Sequence, residues 1–152
     1  RCIKFVTARL GGTLAALPDD ALELCGSWEA KVAQAYAHYK EFESAAALRL
    51  AMEIAESANT YVTDAAPWKL ATSDPERARS VCSVGVHASK LIVGILAPVL
   101  PSWKEKLERT LALPAPLTAA NATSRLPAGH AIQEYETLCE RIDPAKVKAI
   151  LE

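Results

Sequence analysis

The spacing of apolar residues is the feature of this sequence that most restricts its fold. Through residues 20–40 such side chains recur mostly every three or four positions, at Leu24, Trp28, Val32, Ala35, Tyr36 and Tyr39. These steps place side chains on one face of a helix, whereas a half-buried strand would alternate every second residue. No stretch of the sequence shows that alternation. The pattern therefore predicts an all-α protein.

A second helix is predicted over residues 42–62, after a turn that contains neither glycine nor proline. Its apolar stripe consists of Phe42, Ala45, Leu48, Met52, Ala55, Asn59 and Val62, widened by Ile54 and Tyr61. The 6% aromatic content and the many alanines agree with helix rather than sheet. We expect this stripe to form the buried face of the helix.

Capping residues mark where further helices begin. Asp20 and Glu23 have the spacing of a capping box, in which a carboxylate accepts from amides of the first turn. Asp74 followed by Pro75 is a second start signal, because proline at the first helical position loses no hydrogen bond. The helix beginning there is predicted to extend over residues 75–97.

Glycine and proline indicate where helices end. Residues 1–10 are typical of a helix end with the apolar face Cys2, Phe5, Val6 and Leu10, stopped by Gly11 and Gly12. Pro67 disfavours helical backbone at the residue before it, so residues 64–73 are predicted to be a connector or a short broken helix. Residues 103–111 are predicted to form another short helix.

The predicted architecture is an antiparallel helical bundle of four or five helices with short connections. The bundle occupies residues 1–111. Residues 112–152 are expected to form an extended C-terminal arm and a final helix, started by Asp143 and Pro144, that pack back on the bundle as part of the same domain. A chain of 152 residues is long enough for one domain with a sizeable core.

Charge and cysteine content limit the possible functions. The net charge is -1, so the sequence is not generally basic, and any binding of nucleic acid must depend on a local site. The four cysteines form no C-x-x-C pair, which argues against zinc and favours reduced, mostly buried thiols. We therefore expect no metal site and a reducing, cytoplasmic location.

The most apolar stretch is residues 81–100, but it does not predict a membrane span. Its unbroken apolar run starts only at Leu91 and covers about ten residues, where a spanning helix needs about twenty. A buried core helix is expected, with His87 as a hydrogen-bonded core histidine. No secretory signal opens the sequence, and its first residue, Arg1, suggests a fragment of a longer protein.

No motif in the sequence points to catalysis by this chain. Walker loops, G-x-G-x-x-G, G-x-S-x-G and H-E-x-x-H are absent, and the three histidines are far apart. Glu53 and Glu56 could share a helix face, although a solvated face explains them better than an acid–base pair. No catalytic residue is therefore expected.

The residues 59–70, N-T-Y-V-T-D-A-A-P-W-K-L, are the most informative segment. Pro67 stiffens a connector that presents Trp68 beside Lys69. An indole held in this way can stack on an unpaired base, and the lysine can contact a phosphate. The alternative is that Trp68 closes the end of the bundle as core, which spacing alone favours.

Four motifs in the same order resemble methionine–tRNA ligases. They are F-V-x-x-x-L before G-G, N-T-Y-V-T-D-A-A-P-W-K-L-A, L-A-P-V-L-P, and L-P-A-G-H-x-I followed by L-C-E-R-I-D. Together they cover nearly the whole chain, and the L-P-A-G-H-x-I form looks most like eukaryotic cytosolic members. Cys139 stands where phenylalanine is common in the family. The resemblance implies the anticodon-binding domain of a class I synthetase.

The resemblance also implies roles for particular residues. Trp68 matches the tryptophan that stacks on anticodon bases, Pro67 its neighbour, and Arg1 an arginine that contacts the anticodon; Lys69 is added as a phosphate contact. The family's companion asparagine would lie before Arg1. The expected partner is the CAU anticodon loop of tRNA(Met).

Catalysis is expected to reside elsewhere in the same enzyme. The nucleotide-binding motifs H-I-G-H and K-M-S-K-S are absent, so ATP and methionine, with Mg, would be used by a separate catalytic domain. This chain alone should be inactive. A multi-synthetase complex is a further expected partner. The alternatives are a protein-interaction or scaffold domain derived from a synthetase, and the anticodon domain of another class I synthetase.

Overall fold

The computed structural model describes residues 1–139, and they are helical with irregular connections. The helices are α1 (Cys2–Arg9), α2 (Asp19–Lys40), α3 (Ser44–Ala65), α4 (Pro67–Leu70), α5 (Pro75–Leu96) and α6 (Pro101–Thr110). In these residues extended pairing is limited to one isolated antiparallel bridge, between Thr13 and Ala131. The all-α prediction is confirmed. The final helix predicted from Asp143 lies outside the described residues.

Helix α5 is the centre of the structure and contacts all five other helices. Most of its residues are buried, from Ala78 near its start to Ile95 near its end. It is long and apolar enough to cross a membrane, but 67% of its most apolar window is buried inside the protein. The burial agrees with the prediction of a core helix rather than a span, because a helix that is apolar all round needs protein on every side.

Side-chain contacts fix the directions of the three long helices. The Nε1 atom of Trp28 donates to Ser57 Oγ at 3.1 Å, and Lys31 pairs with Glu53, so α2 and α3 run antiparallel. Tyr36 and Tyr39 donate to the carbonyls of Gly94 and Ile95, both at 2.9 Å, so α2 and α5 run parallel. The three helices form an up-down-up arrangement, as short connections between sequential neighbours predict.

Most of the predicted buried face of α3 is wrong by about one position along the helix, although Ile54, which was predicted to widen that face, is buried. The buried residues are Ala47, Ala51, Ile54 and Ala58, whereas Met52 is 69% exposed and Phe42 is 94% exposed. Both rows have steps of three or four, so periodicity alone could not choose between them. The row that contains the alanines is the buried one, because small side chains let α3 lie close to α2 and α5.

Two helix starts were predicted from caps, and they differ in outcome. The Asp74 side chain accepts from the amide of Arg77 at 3.0 Å with Pro75 in the first turn, as predicted. The capping box at Asp20 is wrong, since Pro18 is the N-cap and no side chain caps α2. The Asp20 carboxylate instead accepts two hydrogen bonds from the Arg77 guanidinium, at 3.0 and 2.6 Å.

Residues 111–139 contain no helix and lie against the bundle. Buried Lys90 donates from its Nζ to the carbonyls of Asn121, Ala122 and Ser124, each at 2.8 Å. Glycine at position 94 leaves room for the segment, since a Cβ there would meet the Ala122 Cβ at 3.2 Å. A lysine of α5 therefore holds the first half of the irregular segment in place.

A second polar cluster holds the same segment from α2. Glu29 accepts from Arg125 Nε at 2.7 Å and lies 2.9 Å from Nε2 of His87, which is 5% exposed. This confirms His87 as a hydrogen-bonded core histidine. Burial raises the pKa of Glu29, but the hydrogen bonds from Arg125 and His87 outweigh burial and leave that pKa below its ordinary value.

Candidate nucleic-acid interface

The connector between α3 and α5 is a short, stiff helix rather than a loop. Ala66 ends α3 in the left-handed conformation, with φ 44° and ψ 58°, and its amide donates to Val62 O at 3.0 Å. Pro67 then starts α4 and is buried. Left-handed backbone is uncommon for a residue with a Cβ. The chain thus makes a sharp turn immediately before Trp68, within the region predicted as a connector or short broken helix.

Trp68 is the exposed tryptophan of the three. Its side chain is 44% exposed, whereas Trp28 is 1% exposed within the core and Trp103 is half-buried on α6. Trp68 therefore does not close the bundle as core, although spacing alone favoured that role. An indole that is half covered on a proline-started helix is held in place while part of its surface faces solvent.

Trp68 lines a groove of about 820 Å³, whose other lining residues come from α1 and the residue before it, from α3, α4 and α5, and from the connector between α4 and α5. The groove is lined by Arg1, Cys2, Lys4, Phe5, Ala8, Arg9, Val62, Pro67, Trp68, Ala71, Thr72 and Cys82. Two aromatic rings and several aliphatic side chains form its apolar part. A space of this size admits one or two nucleobases, since small-molecule sites occupy about 300–1,000 Å³.

The groove is positively charged although the whole chain is not. Arg1, Lys4 and Arg9 line it, and no Asp or Glu of residues 1–139 is among its lining residues. Local excess of one charge attracts the opposite charge even where the net charge is -1. The groove therefore suits an anionic ligand with flat, stackable groups.

Three of the four predicted site residues line this groove. Arg1 is brought together with Pro67 and Trp68 although it is far from them in sequence. Arg1 is exposed and precedes α1, where its carbonyl accepts from the Phe5 amide at 3.0 Å. Lys69 is exposed beside Trp68 but is not among the lining residues, so its phosphate contact stays a prediction.

Sequence reasoning missed the other groove residues of α1. Phe5 and Arg9 follow Arg1 at steps of four, which places all three on one helix face. That spacing was available as a signal. The predicted apolar face of α1 is also partly wrong, because Ile3, Val6 and Leu10 are buried. Cys2 and Phe5 are only half-buried because they face the groove.

The end of α1 matches its prediction. Gly11 and Gly12 have φ of 77° and 72°, and the Gly12 amide donates to Val6 O at 3.0 Å. Glycine adopts this backbone without steric cost. The stop lets the chain turn away after Arg9, so the helix face carrying the three groove residues is left open. Within residues 1–139, no three His, Cys, Asp or Glu side chains are grouped to hold a metal ion.

Comparison with protein families gives one match over most of the chain. The family described as "Anticodon binding domain of methionyl tRNA ligase" matches residues 14–151. Among curated proteins, the methionine–tRNA ligase of Azoarcus sp. (strain BH72) is 38% identical over 100% of this chain and 21% of its own length. That of Stenotrophomonas maltophilia (strain K279a) is 36% identical over 100% of this chain and 22% of its own length. The chain therefore spans about a fifth of these relatives.

Solved structures show the same fold. The apo form of Mycobacterium tuberculosis methionyl-tRNA synthetase superposes with a TM-score of 0.86 at 21% identity, covering 95% of this chain and 31% of that one. The same enzyme bound by methionyl-adenylate gives a TM-score of 0.81 at 20% identity, covering 91% and 29%. At this identity the likeness concerns the fold, which agrees with the predicted bundle.

The sequence-based preference for eukaryotic cytosolic members is not supported. The curated relatives that match this chain are from bacteria such as Azoarcus, Stenotrophomonas and Thiobacillus. The backbone of the L-P-A-G-H-x-I motif has a structural role, since the Gly129 amide donates to Leu14 O at 2.8 Å and the Leu14 amide donates to His130 O at 2.9 Å.

Proposed function

This chain belongs to the family of anticodon-binding domains of methionyl-tRNA ligases, and on that premise we propose that the groove beside Trp68 reads the CAU anticodon of methionine tRNA. The anticodon bases of a tRNA are unpaired before decoding. Unpaired bases are the parts of RNA that proteins read, by stacking and by hydrogen bonds to base edges. The groove offers both kinds of contact.

The exposure of Trp68 is the observation that carries this proposal. The ring is 44% exposed and is fixed by buried Pro67 and by the sharp turn at Ala66. A base that stacks on it meets a surface that is already in place, so little conformational entropy is lost on binding. Such a stack contributes about 1–3 kcal/mol.

The cations of the groove supply the remaining contacts. Arg1 can present two donors to one base edge, and such pairs are worth about 1–3 kcal/mol of discrimination in DNA complexes. Lys4 and Arg9 line the same groove and are placed for the phosphates that flank the bases. The Lys4 Nζ also lies 5.1 Å from the centre of the Tyr135 ring, within the range of a cation–π contact.

The complete reaction requires parts of the enzyme beyond this chain. The relatives are ligases of which the chain spans about a fifth, and the M. tuberculosis enzyme binds methionyl-adenylate. We infer that ATP, methionine and Mg are used by a separate catalytic domain of the same cytoplasmic enzyme, which is a partner of this domain. Membership of a multi-synthetase complex stays a prediction.

The proposal is tested by binding of a labelled RNA stem-loop that carries CAU in its loop, measured by fluorescence anisotropy. Trp68→Ala should weaken binding by about 5- to 150-fold, the equivalent of losing one stack. Phe42→Ala is the matched control. Phe42 is also exposed, at 94%, but it lies at the opposite end of α3 from Trp68. The length of α3 separates the two residues by about 30 Å. Equal loss in both variants would refute the proposal.

The salt dependence of the same binding separates this proposal from a protein-interaction domain. Arg9→Ala should reduce the slope of log affinity against log salt by about one, as expected for loss of a single phosphate contact. Lys40→Ala is the control, because Lys40 is exposed at the far end of α2 and is outside the groove. Affinity for the RNA that does not change with salt would contradict a phosphate-binding groove.

A further inference from the structure

Two thiols from different helices meet in the wall of the groove. Cys2 on α1 and Cys82 on α5 both line it, and the two side chains interact, which shifts the pKa of each thiol. Gly85, about one turn after Cys82, makes the approach of Cys2 possible. A Cβ at Gly85 would lie 2.6 Å from the Cys2 Sγ and 3.3 Å from its Cβ. The absence of a side chain at position 85 thus leaves the space that the Cys2 sulfur occupies.

The two thiols differ in their readiness to lose a proton. Interaction with the Cys82 side chain and the positive charge of Arg1 lower the pKa of Cys2, against the opposing effect of burial. The same interaction, together with burial, raises the pKa of Cys82. Cys25 is a contrast within the chain, because burial raises its pKa to about 11. The thiolate is the reactive form, so Cys2 is the nucleophile of the pair.

We propose that Cys2 and Cys82 form a peroxide-sensitive pair that closes to a reversible disulfide in the wall of the groove. The Cys2 thiolate attacks one oxygen of a hydroperoxide, the O–O bond breaks, and the leaving oxygen takes a proton, which gives a sulfenic acid on Cys2. The Cys82 sulfur then attacks the Cys2 sulfur, and the S–O bond breaks with release of water. The two thiols lose two electrons and two protons, and hydrogen peroxide becomes two waters.

The position of the pair connects this chemistry to the groove. Cys2 adjoins Arg1 in the sequence and shares the lining with Trp68. A ligand that fills the groove covers the Cys2 sulfur and keeps peroxide away from it. This consequence rests on the proposed function, because it requires that RNA occupy the groove. Formation of the disulfide itself does not depend on RNA binding.

The test is oxidation of the reduced protein with a small excess of hydrogen peroxide, followed by peptide mapping without reductant. The expected product is an intramolecular crosslink between the peptides of Cys2 and Cys82, with a mass about 2 Da below the reduced protein, reversed by dithiothreitol. Closing a loop of this length should raise the Tm by about 10 °C. Cys139→Ser serves as the background, since Cys139 is exposed and could form disulfides between molecules.

Glycine variants test the geometry. Gly85→Ala should slow formation of the crosslink by about tenfold or more, because the added Cβ displaces the Cys2 sulfur. Gly26→Ala is the matched control, since a Cβ there meets nothing within 4 Å, and it should oxidise at the rate of the parent. The proposal is overturned if peroxide leaves Cys2 as a sulfinic acid with no crosslink, or if Cys2 pairs with another cysteine.

RNA protection separates this proposal from the proposed function. Saturating CAU stem-loop should slow the crosslink by about fivefold or more, whereas a stem-loop that does not bind should leave the rate unchanged. If the crosslink forms and the stem-loop binds without protecting it, the thiol pair stands and the RNA site lies elsewhere. If the stem-loop binds in the groove but no crosslink forms in its absence, the proposed RNA site is retained and the thiol pair is refuted.

Discussion

Replacing Lys90 with methionine would test how the irregular segment after α6 is held to the bundle. Lys90 is 3% exposed, and its Nζ donates to the carbonyls of Asn121, Ala122 and Ser124, each at 2.8 Å. Methionine fills a similar volume but cannot donate a hydrogen bond. Lys90→Met therefore removes the polar contact while it leaves most of the packing in place.

The expected loss of stability in Lys90→Met follows from two opposing free energies, the hydrogen bonds that are lost and the burial cost that is relieved. Hydrogen bonds from a charged group contribute about 1.5–3 kcal/mol each, so the three together are worth roughly 4–9 kcal/mol. Burial lowers the pKa of Lys90 from 10.5 to about 8, which corresponds to about 3 kcal/mol of disfavour for the charged form. Removing the lysine relieves that cost. The net expectation is a loss of about 3 kcal/mol in the free energy of unfolding, or about 10 °C in Tm.

Urea unfolding followed by circular dichroism measures the loss, and hydrogen exchange locates it. The Ala122 amide, which donates to Thr118 O at 2.9 Å, should exchange faster in Lys90→Met. The exchange rates of amides in α2 and α3 should change only as much as the global free energy of unfolding requires. Lys31→Met is the control. Lys31 pairs with exposed Glu53 at the surface, so this variant should lose less than about 1 kcal/mol. Equal stability of the two variants would refute the role given to Lys90.

Two further predictions concern helix capping and acid stability. Asp74→Ala should lose about 1 kcal/mol of unfolding free energy in urea, because it removes the N-cap hydrogen bond of α5. Asp19→Ala is the control, since it removes no cap hydrogen bond in α2, and it should lose less than half as much. Equal losses in the two variants would contradict the capping role of Asp74. The pKa of Glu29 is lowered by Arg125 and His87, so its contribution is present above the ordinary pKa of about 4.5 and is lost as pH falls below it. The stability difference between wild type and Glu29→Gln should therefore shrink between pH 5 and pH 3, and a difference that does not change over that range would rule out this linkage.

Features that depend on nearby residues could be predicted from the sequence. The Asp74 cap, the double-glycine stop after α1 and the break at Pro67 follow from backbone chemistry within a few positions. Helix α5 was identified as core because its unbroken apolar run, starting at Leu91, is too short to span a membrane. These elements need no knowledge of which parts of the chain come together.

Features that depend on contacts between distant residues could not be predicted from the sequence. Asp20 had the spacing of a cap, but Arg77 on α5 lies within reach and binds it instead. The buried face of α3 depended on which of two equally periodic rows met α2 and α5. Lys4 of the groove was missed because its neighbour Trp68 is about sixty residues away in sequence, whereas Arg9 could have been found from its helical spacing to Arg1. Sequence similarity to a family supplied Arg1, Pro67 and Trp68, which spacing alone did not.

The central claim is that Trp68 stacks on the CAU anticodon, and the quenching of its own fluorescence tests this most directly. Emission is titrated with a CAU stem-loop and with the same stem-loop carrying a permuted anticodon, in wild type and in Trp68→Phe. Subtracting the variant removes the contributions of Trp28 and Trp103, and phenylalanine keeps a ring at the site. Stacking on Trp68 predicts saturable quenching by the CAU loop, which is absent in Trp68→Phe, and an affinity for the permuted loop that is at least tenfold weaker. Equal quenching in both proteins, or by both RNAs, would contradict it.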